Sequence, residues 1–281
     1  MVSHQVVLVT GASSGIGQAT AELLAANGFT VFGTSRSPKQ DTYPYTWLPL
    51  DVRSDASVKV AVQSLLEQAG RIDILVNNAG YAQIGAIEEN SLADVQAQLD
   101  TNLFGIIRMI QAVLPVMRQQ GSGRIVNVGT ALGQVASPYA GVYSTSKFAL
   151  EGLTEALREE ARPFGIDVSL VEPAFVKTHL VYQEPSNAIA AYAPGRSAAL
   201  QAASEGIKRG IEPVVVAQVI LRAVTTPRPR LRYLVGRNAK ILLLLRRLLP
   251  EQLFERVKRR AFQVRNSAGV QSQAQTQETV V

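Results

Sequence analysis

Tyr143 and Lys147 stand four residues apart in Tyr143-Ser144-Thr145-Ser146-Lys147, and on a helix that spacing puts both side chains on one face. A free phenol has a pKa of about 10, too high to exchange protons readily near neutrality. A neighbouring ammonium favours the phenolate and lowers that value. The pair is therefore a candidate acid and base for a carbonyl or alcohol oxygen. A second group of residues gives that pair a context. Thr10–Gly17 reads TGASSGIG, directly after the strand-like run Gln5–Val9 and before a helix-like run from Gln18. In such a strand–turn–helix unit Gly11 turns the chain sharply, while Gly15 and Gly17 let backbone and helix approach where a Cβ would clash. The unpaired N–H groups at the helix start, around Ser13, Ser14, Gly15 and Ile16, then face an anion, normally a pyrophosphate.

A scaffold must bring these distant segments together. Apolar runs alternate with amphipathic stretches along the chain, the rhythm of a parallel sheet covered by helices. Strands are expected at Gln5–Thr10, Thr30–Thr34, Thr46–Leu50, Ile72–Val76, Arg124–Val128, Asp167–Val171 and Arg232–Val235. Helices are expected near Ile16–Asn27, Asp55–Ala69, Leu92–Gln119, Tyr143–Pro163 and Val214–Thr225. Gly28, Gly70, Gly121, Gly123 and Gly165 punctuate the helix ends, as left-handed caps should. The expectation is an α/β fold, a Rossmann-like doubly wound parallel sheet of about seven strands with a C-terminal helical extension. The chain has 281 residues, 47% hydrophobic and 18% charged, enough for one substantial core. It has no cysteine, hence no disulfide, thiolate nucleophile or cysteine zinc site. A core strand starting almost at Met1 leaves no room for a signal peptide, and a cytoplasmic location is expected.

Asn77-Asn78-Ala79-Gly80 follows the apolar run Ile72–Val76 and supplies a third anchor. Together the ordered motifs resemble the short-chain dehydrogenase/reductase family from about Gln5 to Leu180. The resemblance implies an oxidoreductase that moves a hydride between a nicotinamide cofactor and a carbonyl or secondary alcohol, assembled as a homodimer or homotetramer. It implies that Lys147 hydrogen-bonds the nicotinamide ribose and that Thr130 stands at the family's substrate-orienting serine. Threonine keeps the hydroxyl but adds a methyl group and a stiffer χ1, and Gly129 beside it offers no second hydroxyl. Asn102, in Asp100–Gly105, is implied to hold a water linking the lysine to solvent; stabilising a helix bend is a compatible role. Asp51 and Val52 resemble the pair that contacts adenine, and Asn77, Ala79 and Gly80 are implied to line the adenine-ribose side. Glu172–Thr178 resembles the family's PGxxxT segment, with Pro173, Val176 and Thr178 implied to grip the nicotinamide carboxamide. Ala174 replaces the usual glycine, so its backbone must avoid positive φ.

Cofactor choice is read at the end of the second strand, where an NAD enzyme carries an acid for the ribose 2′-OH. Thr34-Ser35-Arg36-Ser37 has no acid before Asp41. A carboxylate would repel a 2′-phosphate, whereas Arg36 can fork onto it and Ser35 can donate to it, so NADP(H) is expected. Leu132, Val135, Tyr139, Phe175 and Leu180 are expected to wall a pocket for a small hydrophobic carbonyl or alcohol substrate. His179 has no clustered carboxylates or cysteines near it in the sequence, so no metal site is expected. A reading from another class is an NADP-binding sensor or scaffold with weak or no turnover. Thr130 and Ala174 lean towards it; Tyr143, Lys147 and Asn102 lean away.

Residues 1–236 are expected to form one catalytic domain, with a substrate loop at about 179–212. Residues 237–263 follow as a basic amphipathic helical extension, and 264–281, rich in Gln, Ser and Thr, as a disordered tail. Between Arg228 and Arg265 lie 12 Lys and Arg against two Glu, so this segment carries +10 and the remainder −4 of the net +6. No nucleic-acid-binding module accompanies that charge, and no nucleic-acid partner is expected. In 239–262, Ile241, Leu242, Leu245, Leu248 and Leu249 recur at near-helical spacing and Pro250 starts a new helix. Leu253, Phe254, Val257 and Ala261 continue the stripe, opposite Arg246, Arg247, Arg256, Lys258, Arg259 and Arg260. Two readings stay open: the stripe packs on the catalytic domain or a partner subunit, or it makes a peripheral contact with an anionic membrane.

Overall fold

The apolar runs become parallel strands with helices on both faces. A computed structural model describes residues 5–37 and 42–261; the tail expected over 264–281 lies outside the described residues. In chain order the strands are β1 (Val6–Val9), β2 (Thr30–Ser35), β3 (Thr46–Pro49), β4 (Ile74–Asn77), β5 (Ala82–Gln83), β6 (Gly123–Val128), β7 (Ile166–Pro173), β8 (Tyr182–Gln183) and β9 (Arg232–Val235). Seven of them form one sheet in the order β3-β2-β1-β4-β6-β7-β9, and β5 pairs with β8 alone. The chain winds outward from β1 to β3, then restarts at β4 on the other side of β1. The loops after β1 and β4 therefore part and leave a crevice at the switch point. Every residue of β1 and β4 is buried, which is why they read as unbroken apolar runs rather than alternating ones. Ile72 and Asp73, expected to open β4, precede it. Asp73 accepts from the Val6 N–H at 2.8 Å and is gripped by Arg71, while its main chain bonds Val6 and Arg124 and so continues the ladder towards both neighbouring strands.

Helices α1 (Gly15–Ala26) and α7 (Pro213–Thr225) cover one face, and α2 (Asp55–Ala69), α4 (Gly105–Gln120) and α5 (Gly141–Ala161) the other. The helix expected over 92–119 is α3 (Leu92–Leu99) and α4 joined by a π-helical turn at Asp100–Phe104. Such a turn carries an extra residue and re-aims a side chain; here it points Asn102 into the interior. The segment Leu92–Gln120 is long and apolar enough to cross a membrane, yet Ile106, Met109, Ile110, Val113 and Met117 bury against the sheet, as in a core helix.

Beyond β7 come α6 (Ala193–Lys208) and, after β9, α8 (Arg237–Leu248) and α9 (Glu251–Ala261). Ala239 and Phe254 anchor the last two helices in the core. Ile241 and Leu248, expected in the packed stripe, are exposed. The aliphatic run 241–245 surrounds α8 on most sides, and only the side centred on Ala239 and Leu242 meets the domain.

Gly17→Ala is expected to lower the melting temperature, because a Cβ there would lie 2.2 Å from the Gly11 carbonyl oxygen and such overpacking costs about 1–3 kcal/mol. Gly152, on α5, has nothing within 4 Å of where a Cβ would stand, so Gly152→Ala should hold or raise stability by up to about 1 kcal/mol. Thermal denaturation of both variants checks the contrast.

Candidate active site

The crevice opens into a cavity of about 820 Å³ at the C-terminal ends of the strands. Its floor is the glycine turn. Gly11, at φ +67°, brings the chain so close to the loop after β4 that a Cβ would lie 2.9 Å from Ala79 Cα. Asn78 Nδ2 donates to the carbonyls of Thr10 and Gly11 at 3.0 and 3.1 Å. Thr10 Oγ1 in turn accepts from the N–H groups of Asn78 and Ala79. Ser14, at the head of α1, makes no side-chain capping bond, so the first N–H groups of the helix stay available to the cavity that Gly11, Ser13, Ser14, Gly15 and Ile16 line. Gly17 does not line it; its role is the close packing of α1 on Gly11. Ala79 and Gly80 are at the wall, but Asn77 is not. Strand residues alternate in direction, and Asn77 is buried with its amide donating to Asn127 at 2.9 Å. Asn78 is the residue that faces the cavity, a position the sequence motifs do not single out.

At the far end Ser35, Arg36, Asp51 and Val52 line the wall. Arg53 forks onto the Asp51 carboxylate at 3.0 and 2.7 Å, and this bond holds the Asp51 carboxyl below the usual carboxylate range. The carboxylate expected to meet adenine is thus already gripped by a cation. Ser35 Oγ is buried with no hydrogen-bond partner, and Arg36 forms no ion pair with any described residue. An unpartnered hydroxyl next in the chain to a guanidinium without an ion pair, both at the cavity wall, fits a phosphorylated ribose.

The opposite wall holds the proton-transfer candidates. Tyr143 and Lys147 project from one face of α5 into the cavity, which Asn102 and Thr130 also line. Lys147 Nζ donates to the Val128 carbonyl at 2.9 Å and lies 6.0 Å from the Tyr143 ring centre; burial pushes its pKa down to about 8. Burial, and secondarily Tyr182, push the Tyr143 phenol up, while its hydrogen bond with Thr130 pulls the other way. This reverses the expectation that the ammonium depresses the phenol. The ammonium donates to the β6 carbonyl, and desolvation is the largest effect on the phenol. Thr130 donates to the Pro173 carbonyl at 3.2 Å and accepts from the Leu132 N–H at 3.4 Å. Asn102 Nδ2 donates to the Tyr81 carbonyl at 2.9 Å and to Ser146 Oγ at 3.3 Å, so it braces both the loop after β4 and α5.

Pro173, Val176 and Thr178 line the cavity. Ala174 avoids positive φ; among the described residues the non-glycine in that region is Tyr139, at φ +59°. Thr178 lies over the glycine turn, its methyl 2.9 Å from where a Gly15 Cβ would stand. Of the expected substrate wall, Leu132, Phe175 and Leu180 are in place, joined by His179. Val135 is buried in the core and Tyr139 is directed elsewhere, its hydroxyl packed on Gly195. The wall is completed by Tyr182, by Ala199, Ala202, Ala203 and Ile207 of α6, and by Ala239 and Leu242 of α8. The helical spacing of those alanines was the available signal. Three acids tether this side: Glu89 pairs with Arg196 and accepts from the Ile189 N–H, Glu88 from the Tyr192 hydroxyl and Asp94 from Ser186.

Behind Thr130 lies a carboxyl pair that the sequence did not announce. Glu172, fully buried, lies beside Glu151 of α5, and Glu172 Oε2 and Glu151 Oε1 are buried without a hydrogen-bond partner. Gln134 donates to Glu172 at 2.6 Å, and Arg232 bridges Glu151 and Glu155 at 2.9 Å each. Burial, followed by the Glu151 charge, pushes the Glu172 pKa up to about 8.

A doubly wound sheet with an open glycine turn at its switch point, and a half-buried tyrosine and a buried lysine facing the same cavity, are the features of a nucleotide-dependent oxidoreductase. The chain belongs to the short chain dehydrogenase family, whose profile matches residues 5–188. A 3-ketodihydrosphingosine reductase of Bacteroides thetaiotaomicron is 37% identical over 242 residues, covering 85% of this chain and 90% of that protein. The crystal structure of a short-chain dehydrogenase from Streptomyces avermitilis superposes with a TM-score of 0.78 at 35% identity, covering 91% of this chain and 98% of that one. A short chain dehydrogenase/reductase from Burkholderia phymatum, solved in complex with NAD, gives 0.76 at 25% identity, covering 87% and 93%. The protein is an oxidoreductase of this nicotinamide-using family, acting between CH–OH and C=O groups.

With its pKa above the unfolded value, Glu172 keeps a proton that the unfolded chain releases. The stability it contributes is full below about 4.5 and is lost as pH rises through about 8. Glu172→Gln keeps an acceptor for Gln134 without the titration. Its melting temperature relative to wild type should therefore climb between pH 5 and pH 9, as scanning calorimetry across that range (roughly four units) would show.

Proposed function

We propose that the protein is an NADP(H)-dependent carbonyl reductase, reversible as an alcohol dehydrogenase, for a small hydrophobic substrate. The observation that carries the reading is geometric: Tyr143, Lys147, Thr130 and Asn102 line one cavity, continuous with the one that the glycine turn lines. When bound, the nicotinamide cofactor supplies the hydride to the carbonyl carbon, or takes it from the alcohol. The protein's own groups handle the oxygen. Thr130 swings its hydroxyl from the Pro173 carbonyl to the substrate oxygen and holds it beside Tyr143, which donates its proton as negative charge develops there. Lys147 turns from the Val128 carbonyl to stabilise the resulting phenolate, and a water recruited at Asn102 would restore the proton from solvent.

NADP(H) over NAD(H) is supported by Arg36 and the unpartnered Ser35 hydroxyl, although a solved relative holds NAD. The hydrophobic substrate class is supported by Leu132, Phe175, Leu180 and Leu242 at the wall and by the 3-ketodihydrosphingosine in the name of the Bacteroides relative. This reading carries with it a homodimer or homotetramer and a cytoplasmic location. The scaffold alternative loses support where Thr130 contacts the phenol and Ala174 adopts an ordinary φ.

NADPH is expected to bind about ten- to hundred-fold more tightly than NADH, the worth of one or two hydrogen bonds to a charged group. Arg36→Ala should remove most of that preference; equal affinities in wild-type protein, measured by fluorescence titration, would reject the assignment.

Tyr143→Phe should leave NADPH affinity intact while turnover on hydrophobic ketones drops by roughly 10²–10⁴-fold. Thr130→Ser should stay active and Thr130→Val should not. NADPH consumption assays compare the three, and a Thr130→Val enzyme as fast as wild type would take Thr130 out of the mechanism.

A further inference from the structure

We propose that α8 and α9 form a docking surface for an anionic lipid bilayer. Ile241, Leu244 and Leu248 recur at a spacing of three and four residues, so they make one ridge along the outer side of α8, exposed to 44%, 56% and 68%. Leu253, 44% exposed, carries the apolar surface onto α9. Exposed Arg237, Lys240, Arg247 and Arg256 flank the ridge, and none forms an ion pair with a described residue. Acidic residues on these two helices are confined to Glu251 and Glu255, the latter 3.9 Å from Arg259.

The combination selects the occupant. A second copy meeting this face about a two-fold axis would set one basic rim against another. A polyphosphate would satisfy the rim and leave the leucines in water. An anionic bilayer takes both, the ridge entering the acyl boundary while the guanidinium and ammonium groups meet the headgroups. Two-residue anchoring of the extension by Ala239 and Phe254 fixes the ridge outward. The inner side of the same helix places Asn238, Ala239 and Leu242 on the cavity wall. Docking would therefore set one wall of the cavity against the bilayer, where apolar ketones dissolve. This consequence rests on the hydrophobic-substrate reading above; docking itself does not.

The full-length protein is sedimented with phosphatidylcholine vesicles, with and without phosphatidylserine, over a range of salt. Sedimentation is expected only with phosphatidylserine and should weaken as salt rises. Replacing Ile241, Leu244 and Leu248 together by serine should weaken it by about tenfold or more, and Lys240→Glu with Arg247→Glu should abolish it. NADPH binding by the same variants, measured without lipid, reports that the fold and the cofactor site are intact, and its failure in wild type would count against the function proposed above and not against docking. No sedimentation at low salt overturns the proposal. So does binding that the serine variant retains in full, since charge alone would then explain it. A concentration-dependent dimer abolished by the serine variant, with no vesicle binding, would assign the ridge to a second copy instead.

Discussion

Gly17 has no room for a side chain, and the crevice depends on that. Its Cα comes so close to the turn after β1 that only backbone fits between α1 and Gly11. Asn78 fastens the same turn to the end of β4 by bonding the Thr10 and Gly11 carbonyls, and Thr10 returns two bonds to the Asn78 and Ala79 N–H groups. The loops that part at the switch point are therefore one unit, held by two side chains that bond main-chain groups across it. Ser14 does not cap α1, which leaves a positive helix end facing the cavity. The packing constraint and the anion site are thus the same piece of geometry.

One helix then carries both the proton-transfer pair and its support. Tyr143 and Lys147 face the cavity from α5, and Glu151, four residues further on, turns to Glu172 and Arg232. Burying these groups is costly unless each finds a partner. Lys147 finds the Val128 carbonyl, Glu151 finds Arg232, and Glu172 finds Gln134 and keeps a proton. Thr130 belongs to the same network: its hydroxyl bonds the carbonyl of Pro173, next to Glu172, and heads the turn that leads to Gln134. A Cβ at Gly129 would stand 3.1 Å from Leu170 Cδ1, so a second hydroxyl-bearing residue there would need the Leu170 side chain to give by a few tenths of an ångström.

The sheet was legible because its central strands are buried on both faces and so appear as contiguous apolar runs. The glycine turn and the Tyr143–Lys147 spacing were legible because each is local. Features that depend on direction or on distant partners were not. Asn77 and Asn78 are indistinguishable in sequence, and only the pleat decides which one faces the cavity. The direction of the Tyr143 shift is set by the burial of the phenol and by Tyr182 and Thr130 beside it, which are distant in sequence. Glu151 and Glu172 meet through the packing of α5 on β7, and β5 and β8 are too short to show a period. The leucines of α8 defeated the assignment of an inner face because nearly every position of 241–245 is aliphatic.

The two halves of the cavity are built with different rigidity, and this bears on what can change in such a chain. The cofactor side rests on strand ends and backbone bonds inside the sheet. The substrate side rests on α6, which buries none of its residues fully, and on side-chain tethers from Glu88, Glu89 and Asp94 to the segment 186–196. Gly206 lies against the Phe175 ring, where a Cβ would stand 2.8 Å away, so α6 is seated on the cavity by shape more than by buried area. Few buried apolar residues, and tethers at Glu88 and Asp94 that are exposed to solvent, mark an element that opens at lower free-energy cost than the sheet, with the buried Glu89–Arg196 pair as its firmest hold. Substitutions along 185–210 can therefore reshape the pocket, or the rate at which it admits substrate, without disturbing the groups that move the proton.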